Sequence, residues 1–180
     1  MESTFDDLIQ YVRNLGAAEV EHSDVTYLGH LAGVYRDLKA WSCSEDVCRG
    51  GMFHSIYGTE IFRRFALPLD KRDEVRELIG ERAEWLAYLN SAIDYASFDE
   101  MLSQSSGPRR MLDRFTGQHI ELSADDLEDL ALIHLCDRLE QAPRSKDWEF
   151  RPTTFSMLAK RLGGVAAESY ERVYGIAPAH

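Results

Sequence analysis

The 180-residue sequence predicts an all-α bundle of seven to eight helices in a single domain covering residues 1–180. Three observations carry that expectation. Apolar residues recur at three- and four-residue spacing nearly throughout, polar capping residues precede several of those stretches, and only one segment alternates as a strand would. A chain of this length buries a sizeable core without disulfide or metal staples.

In chain order, the first helix is expected from about Thr4 to Leu15, ended by Gly16. A second runs from about Asp24 to Trp41, with Tyr27, Leu31, Val34, Tyr35 and Leu38 on its buried face. Ser44 precedes EDV, a capping signature, and opens a third helix carrying Val47, Met52, Phe53, Ile56 and Ile61, with a break near Gly58 allowed by its glycines. Past Pro68, short helices are expected over Asp70 to Ile79 and Glu81 to Ile93, and a brief turn capped by Ser97. The alternation in DRFTGQHIEL predicts a small β-hairpin near 113–122, around Thr116-Gly117. Ser123 caps an apolar core helix, ADDLEDLALIHLCDRLEQ, whose acidic first turn suits the helix dipole. Pro143 and Pro152 bound a loop, and a last helix from Thr154 tolerates or bends at Gly163-Gly164 before Gly175.

Composition narrows the function. A net charge of -11, spread along the chain, disfavours nucleic acid as a partner, although a local arginine cluster or a metal can still hold a small phosphorylated ligand. The longest apolar run is too short to span a membrane, and the N-terminus MESTFDDLIQ lacks the basic and apolar regions of an export signal, so a cytoplasmic location is expected. Cys43, Cys48 and Cys136 have neither disulfide-framework nor zinc-site spacing and read as reduced, packed thiols. Oligomeric state is left open by the sequence.

Three polar residues interrupt strongly apolar stretches: His30 in YLGHLAGVY, His54 in GMFHSIY and Asp137 in LIHLCDRLE. A buried carboxylate needs a cation, a metal or several donors. Two imidazoles and a carboxylate on packed helices suit Mn, Fe, Co or Zn with positions left open. The simpler alternative is a pair of satisfied core histidines, with Asp137 paired to an arginine such as Arg138 or Arg64.

These stretches also resemble, in order, those of the HD-domain superfamily, and within it the Rel/SpoT-type hydrolases of the alarmone (p)ppGpp. SDVTYLGHLAGVY is similar to SGEPYIxHPxxVA at Ser23, Tyr27, His30 and Val34; GGMFHSIY stands where that family has its His-Asp dyad; ALIHLCDRLEQ resembles IKLADRLHN at Leu135, Asp137, Arg138 and Leu139. LIGERAEWLAYL is similar to FGxEVAxLVxxVT, and the likeness spans roughly 20 to 142. HSIYGTE, with His22 and Trp41, also resembles a small uncharacterised bacterial family of HD-like proteins.

The resemblance implies an HD-like bundle with divalent-metal ligands at His30, His54 and Asp137, and with Ser55 in place of the dyad aspartate. His22 or Glu60 would then supply the missing ligand or a general base, while His134 is as readily a packed core residue. The family's acidic pair falls on Gly58 and Thr59, its guanine-facing arginine on Glu21 and the asparagine of RLHN on Gln141, which puts alarmone hydrolysis itself in doubt. The implied function is metal-dependent hydrolysis of a phosphorylated or nucleotide-like small molecule, with Glu60, His22 and Thr59 as catalytic candidates. Tyr57, Arg138 and Arg110 are the candidates for binding it, and Arg144 is a further phosphate candidate. Loss of the dyad aspartate and the acidic pair leaves a non-catalytic binding protein as one alternative, and an iron-dependent oxidative enzyme of specialised metabolism as another.

Overall fold

The computed structural model describes residues 3–22, 25–104 and 106–176, with the side chains of 21, 22 and 25 outside the description. It is an all-α bundle with nine α-helices among those residues: α1 (Phe5–Asn14), α2 (Tyr27–Ala40), α3 (Glu45–Met52), α4 (Arg72–Ile79), α5 (Glu81–Ala92), α6 (Tyr95–Ser103), α7 (Ala124–Ser145), α8 (Pro152–Leu162) and α9 (Gly164–Tyr174). The expected hairpin is present as β3 (Arg110–Leu112) paired antiparallel with β4 (His119–Glu121), Met111 opposite Ile120. A second pair, β1 (Glu21–His22) with β2 (Val25–Thr26), was not expected; two-residue strands carry no alternation to read.

Local chemistry sets most boundaries. Thr4 and Ser123 close capping boxes on α1 and α7 with Asp7 and Asp126, each satisfying two orphan amides at a helix start. Thr26 caps α2 by accepting from the amide of Gly29, so the helix begins at Tyr27, three residues after the expected start at Asp24, which itself lies outside the described residues. Ser97 does not cap α6. Asp94 does, accepting from the Ser97 amide at 2.9 Å, while the Ser97 hydroxyl accepts from the amide of Leu112 on the hairpin. Pro143 lies inside the last turn of α7 rather than in a loop, on an exposed stretch where its missing N–H removes a single bond. At Gly163, with φ of 64°, the last helix divides into α8 and α9, giving one helix more than expected.

The largest departure concerns the third helix, expected to reach Ile61. It stops at Met52, and the chain continues through tight turns in which the Ile56 amide donates to Phe53 and the Gly58 amide to Ser55. Residues 47 to 59 are buried without interruption. His54 and Ser55 therefore sit on a buried turned segment, not on a helix face. Gly58 takes φ of 74°, and Arg114 pins its carbonyl at 2.7 Å.

Helices α2, α3, α5 and α7 pack on one another around a core that includes Leu31, Met52, Phe53, Ile56, Leu89 and Leu135, all 0 % exposed. The closest approach is at Gly51, where an added Cβ would stand 2.2 Å from Leu38 Cδ1 and 3.3 Å from Val34 Cγ1. Gly51→Ala is expected to destabilise the fold by about 2 kcal/mol through overpacking between α2 and α3. A thermal melt should fall by about 6 °C; an unchanged midpoint would show that this contact relaxes freely. Among the described residues no helix is long and apolar enough to cross a membrane.

Candidate metal centre

The bundle brings His30 on α2, His54 on the turned segment and Asp137 on α7 to one point. His30 Nε2 lies 3.2 Å from Asp137 Oδ1, His54 Nε2 lies 3.3 Å from the same oxygen, and the two Nε2 atoms are 3.3 Å apart. Among the described residues they form the group able to hold a metal ion. His30 is fully buried, His54 is 2 % exposed and the Asp137 side chain 16 %.

The hydrogen bonds behind the two rings set their chemistry. His30 Nδ1 stands 2.5 Å from Glu140 Oε2, and His54 Nδ1 stands 2.7 Å from the Gly51 carbonyl. Both oxygens accept only, so each neutral ring carries its hydrogen on Nδ1 and turns a bare Nε2 toward the triangle. With both rings neutral, two nitrogen lone pairs and a carboxylate lone pair converge. A single proton satisfies one edge of such a triangle and leaves the others repulsive; a divalent cation satisfies all three. The donor set also fits by distance, because two donors about 2.1 Å from one ion lie about 3.0 to 3.4 Å apart at octahedral to tetrahedral angles. A carboxylate or carbonyl behind each histidine is the usual support of a metal site.

Charge follows the same layout. Burial lowers the proton affinity of His30, but the adjacent Asp137 and Glu140 carboxylates outweigh it and hold the imidazole up to about 9. Burial likewise raises Asp137, and the two histidines overcome that and keep its carboxyl well below the ordinary value. Glu140, raised by burial and lowered by His30 and Arg144, also ends below its ordinary value, with Arg144 Nη2 at 2.5 Å. The Gln141 amide donates to Asp137 Oδ1.

His54 and Asp137 face a cavity of about 220 Å³, with His30 behind them. One face of α7 forms a wall of it through His134, Asp137, Arg138, Gln141 and Ser145; Tyr95, Phe150 and Phe155 supply aromatic surface. Arg138, 6 % exposed, is the one arginine or lysine among the lining residues. Among the described residues its hydrogen bonds go to neutral oxygens, the Tyr174 hydroxyl and the Asp147 carbonyl.

The other residues singled out by sequence are scattered. Ser55 lines the cavity with its hydroxyl 2.9 Å from that of Tyr27, and Thr59 lines it while accepting from the Phe62 amide. Glu60 is not at the cavity; its carboxylate accepts from the Tyr95 amide at 2.7 Å and covers the first turn of α6. Tyr57 turns away to donate to Glu84 on α5, and Arg110 is an exposed hairpin residue paired with Glu121. Arg144 supports Glu140 rather than lining the cavity. The side chain of His22 lies outside the described residues. The three cysteines gather around a small apolar cluster, and burial raises each thiol, as expected of packed, unreactive residues.

Sequence reasoning missed Glu140, although its place three residues after Asp137 on one helix was a usable signal. Glu140→Gln is expected to weaken divalent-metal affinity about 10- to 100-fold while leaving the fold intact. Competition against a chromophoric chelator reads this directly, and unchanged affinity would remove Glu140 from the site.

Residues 11–95 match the family described as a domain of unknown function, DUF6817. That stretch holds His30 and His54 and ends before Asp137. No curated protein and no solved structure matches the chain, and no link to the HD-domain hydrolases emerges from these comparisons.

Proposed function

We propose that this chain is a metal-dependent hydrolase of a small phosphorylated or nucleotide-like molecule. The convergence of His30 Nε2, His54 Nε2 and Asp137 Oδ1 within 3.3 Å, each ring held from behind, carries the reading. Three protein ligands beside an open cavity are the pattern of catalytic rather than structural metal sites. A bound divalent ion supplies Lewis acidity and lowers the pKa of nearby water to about 7.

The chain's own residues do the rest. Asp137, held by Gln141, keeps its negative charge at every working pH, and Glu140 fixes the ring of His30. Arg138, a buried cation bonded only to neutral oxygens among the described residues, suits an anionic group of the substrate. Tyr95, Phe150 and Phe155 give the cavity aromatic surface against which an apolar or ring portion of the substrate can pack. Glu60, committed to the amide of Tyr95, is not assigned the general base. The ordered resemblance of the three ligand stretches to HD-domain proteins supports the same reading.

A second reading rests on the ligand types, because two histidines and one carboxylate on one face of an ion also serve iron oxygenases. Metal-reconstituted protein screened against phosphomonoesters and phosphodiesters, with and without dioxygen, separates the two. Turnover under anaerobic conditions is expected. Turnover only with ferrous iron and dioxygen would select the oxidative reading, and none in fully metal-loaded protein would leave a binding protein.

A further inference from the structure

His134 lines the cavity three residues before Asp137, yet both of its ring nitrogens are already engaged. Nδ1 lies 3.1 Å from Asn90 Oδ1, and Nε2 lies 3.0 Å from Arg151 Nη1. The directions follow from the ends of the chain. Arg151 can only donate, and Asn90 uses its amide nitrogen to donate to the His54 carbonyl at 3.0 Å. Hence Arg151 donates to His134 Nε2, His134 Nδ1 donates to Asn90 Oδ1, and Asn90 donates to the backbone of a metal-ligand residue. The ring is wedged against Phe155, centroids 5.4 Å apart and planes at 27°.

Arg151 is the residue that precedes α8 at its N-cap, and it is held there at some expense. Its φ of 45° and ψ of 48° are left-handed, a conformation that costs a residue with a Cβ about 1 kcal/mol. The side chain is fixed by Asp99, whose carboxylate accepts from Nε at 3.1 Å and again from Nη2, and by the ring of Tyr95, 4.1 Å away. The segment leading into Arg151 contributes Asp147 and Phe150 to the cavity wall. One continuous, directed chain therefore joins the segment that carries Asp147 and Phe150 of the cavity wall to His54.

We infer that Arg151 and His134 are positioning residues, a relay that fixes the His54 segment when the wall formed by residues 147 to 150 is seated on the cavity. His134 is neither a ligand nor a base in this arrangement, having no free nitrogen to offer. The inference rests on the metal reading above, since what it positions is a ligand.

The test is cobalt(II) binding to the full chain, read as affinity and as the visible d–d spectrum. His134→Phe keeps the ring against Phe155 and removes both hydrogen bonds; Arg151→Met, at a partly exposed side chain, removes only the first of these two bonds, together with the ion pair to Asp99. Cobalt affinity about 10-fold weaker with a shifted band is expected in His134→Phe, and a smaller change of the same kind in Arg151→Met. A wild-type affinity and band in folded His134→Phe, or in Arg151→Met should the first variant not fold, overturns the relay alone. Failure of the wild-type chain to bind cobalt overturns the metal reading and the relay with it.

Discussion

Asp137→Asn is expected to lower divalent-metal affinity by at least about 100-fold, since loss of outer support alone reaches about 10- to 100-fold and here a ligand is lost. The substitution keeps the size of the side chain and removes its charge, so the effect isolates electrostatics. Without metal it also breaks the buried pair with His30, 3.2 Å away, which should cost about 3 kcal/mol and lower the melting midpoint by about 6 to 12 °C. Asp147→Asn is the matched control. Asp147 lines the same cavity but is outside the His30, His54 and Asp137 triangle, and its substitution should leave metal affinity within about twofold. Equal losses in both variants would point to general cavity charge and not to a ligand at Asp137.

Metal affinity should climb with pH about tenfold per unit and level off near 9. His30 is held up to about 9 in the metal-free protein, so at neutral pH an incoming ion must displace a proton from Nε2. Between roughly pH 6.5 and 8.5 the gain is about 100-fold, with one proton released per ion bound. Titration against a chelator of known affinity across that range reads the slope, and a flat profile contradicts it.

The metal-free fold carries the same linkage with its own signs. The pairing of His30 contributes fully below its unfolded value of about 6.5 and is lost as pH rises through about 9. Asp137 and Glu140, both held low, contribute above about 4 and lose that as pH falls. Burial and the Arg151 charge keep His134 neutral, down to about 3, so its contribution is present above about 6.5 and lost as acid forces a proton on it.

The His30, His54 and Asp137 triangle was legible in the sequence because a histidine or aspartate inside an apolar stretch conflicts with burial unless something compensates it. His30, His54 and Asp137 each carried that conflict, and they meet. The helical class and the hairpin were legible from periodicity and turn residues. The end of α3 was not, because residues 47 to 59 are buried on every side and no polar face marks where the helix stops. Glu60 illustrates the other limit. Its nearness to His54 in sequence suggested chemistry, while the amide it covers belongs to Tyr95, 35 positions away and outside any local pattern. Arg151 and Asn90 were invisible for the same reason, their roles arising only when α5, α7 and α8 are packed together.

The most direct test is diffraction from crystals of the wild-type chain grown with manganese, cobalt or zinc and measured at the absorption edge of the metal. An anomalous peak about 2.0 to 2.2 Å from His30 Nε2, His54 Nε2 and Asp137 Oδ1 is expected. Contradiction would be an ordered triangle in which His30 bonds Asp137 directly and no anomalous density stands between them.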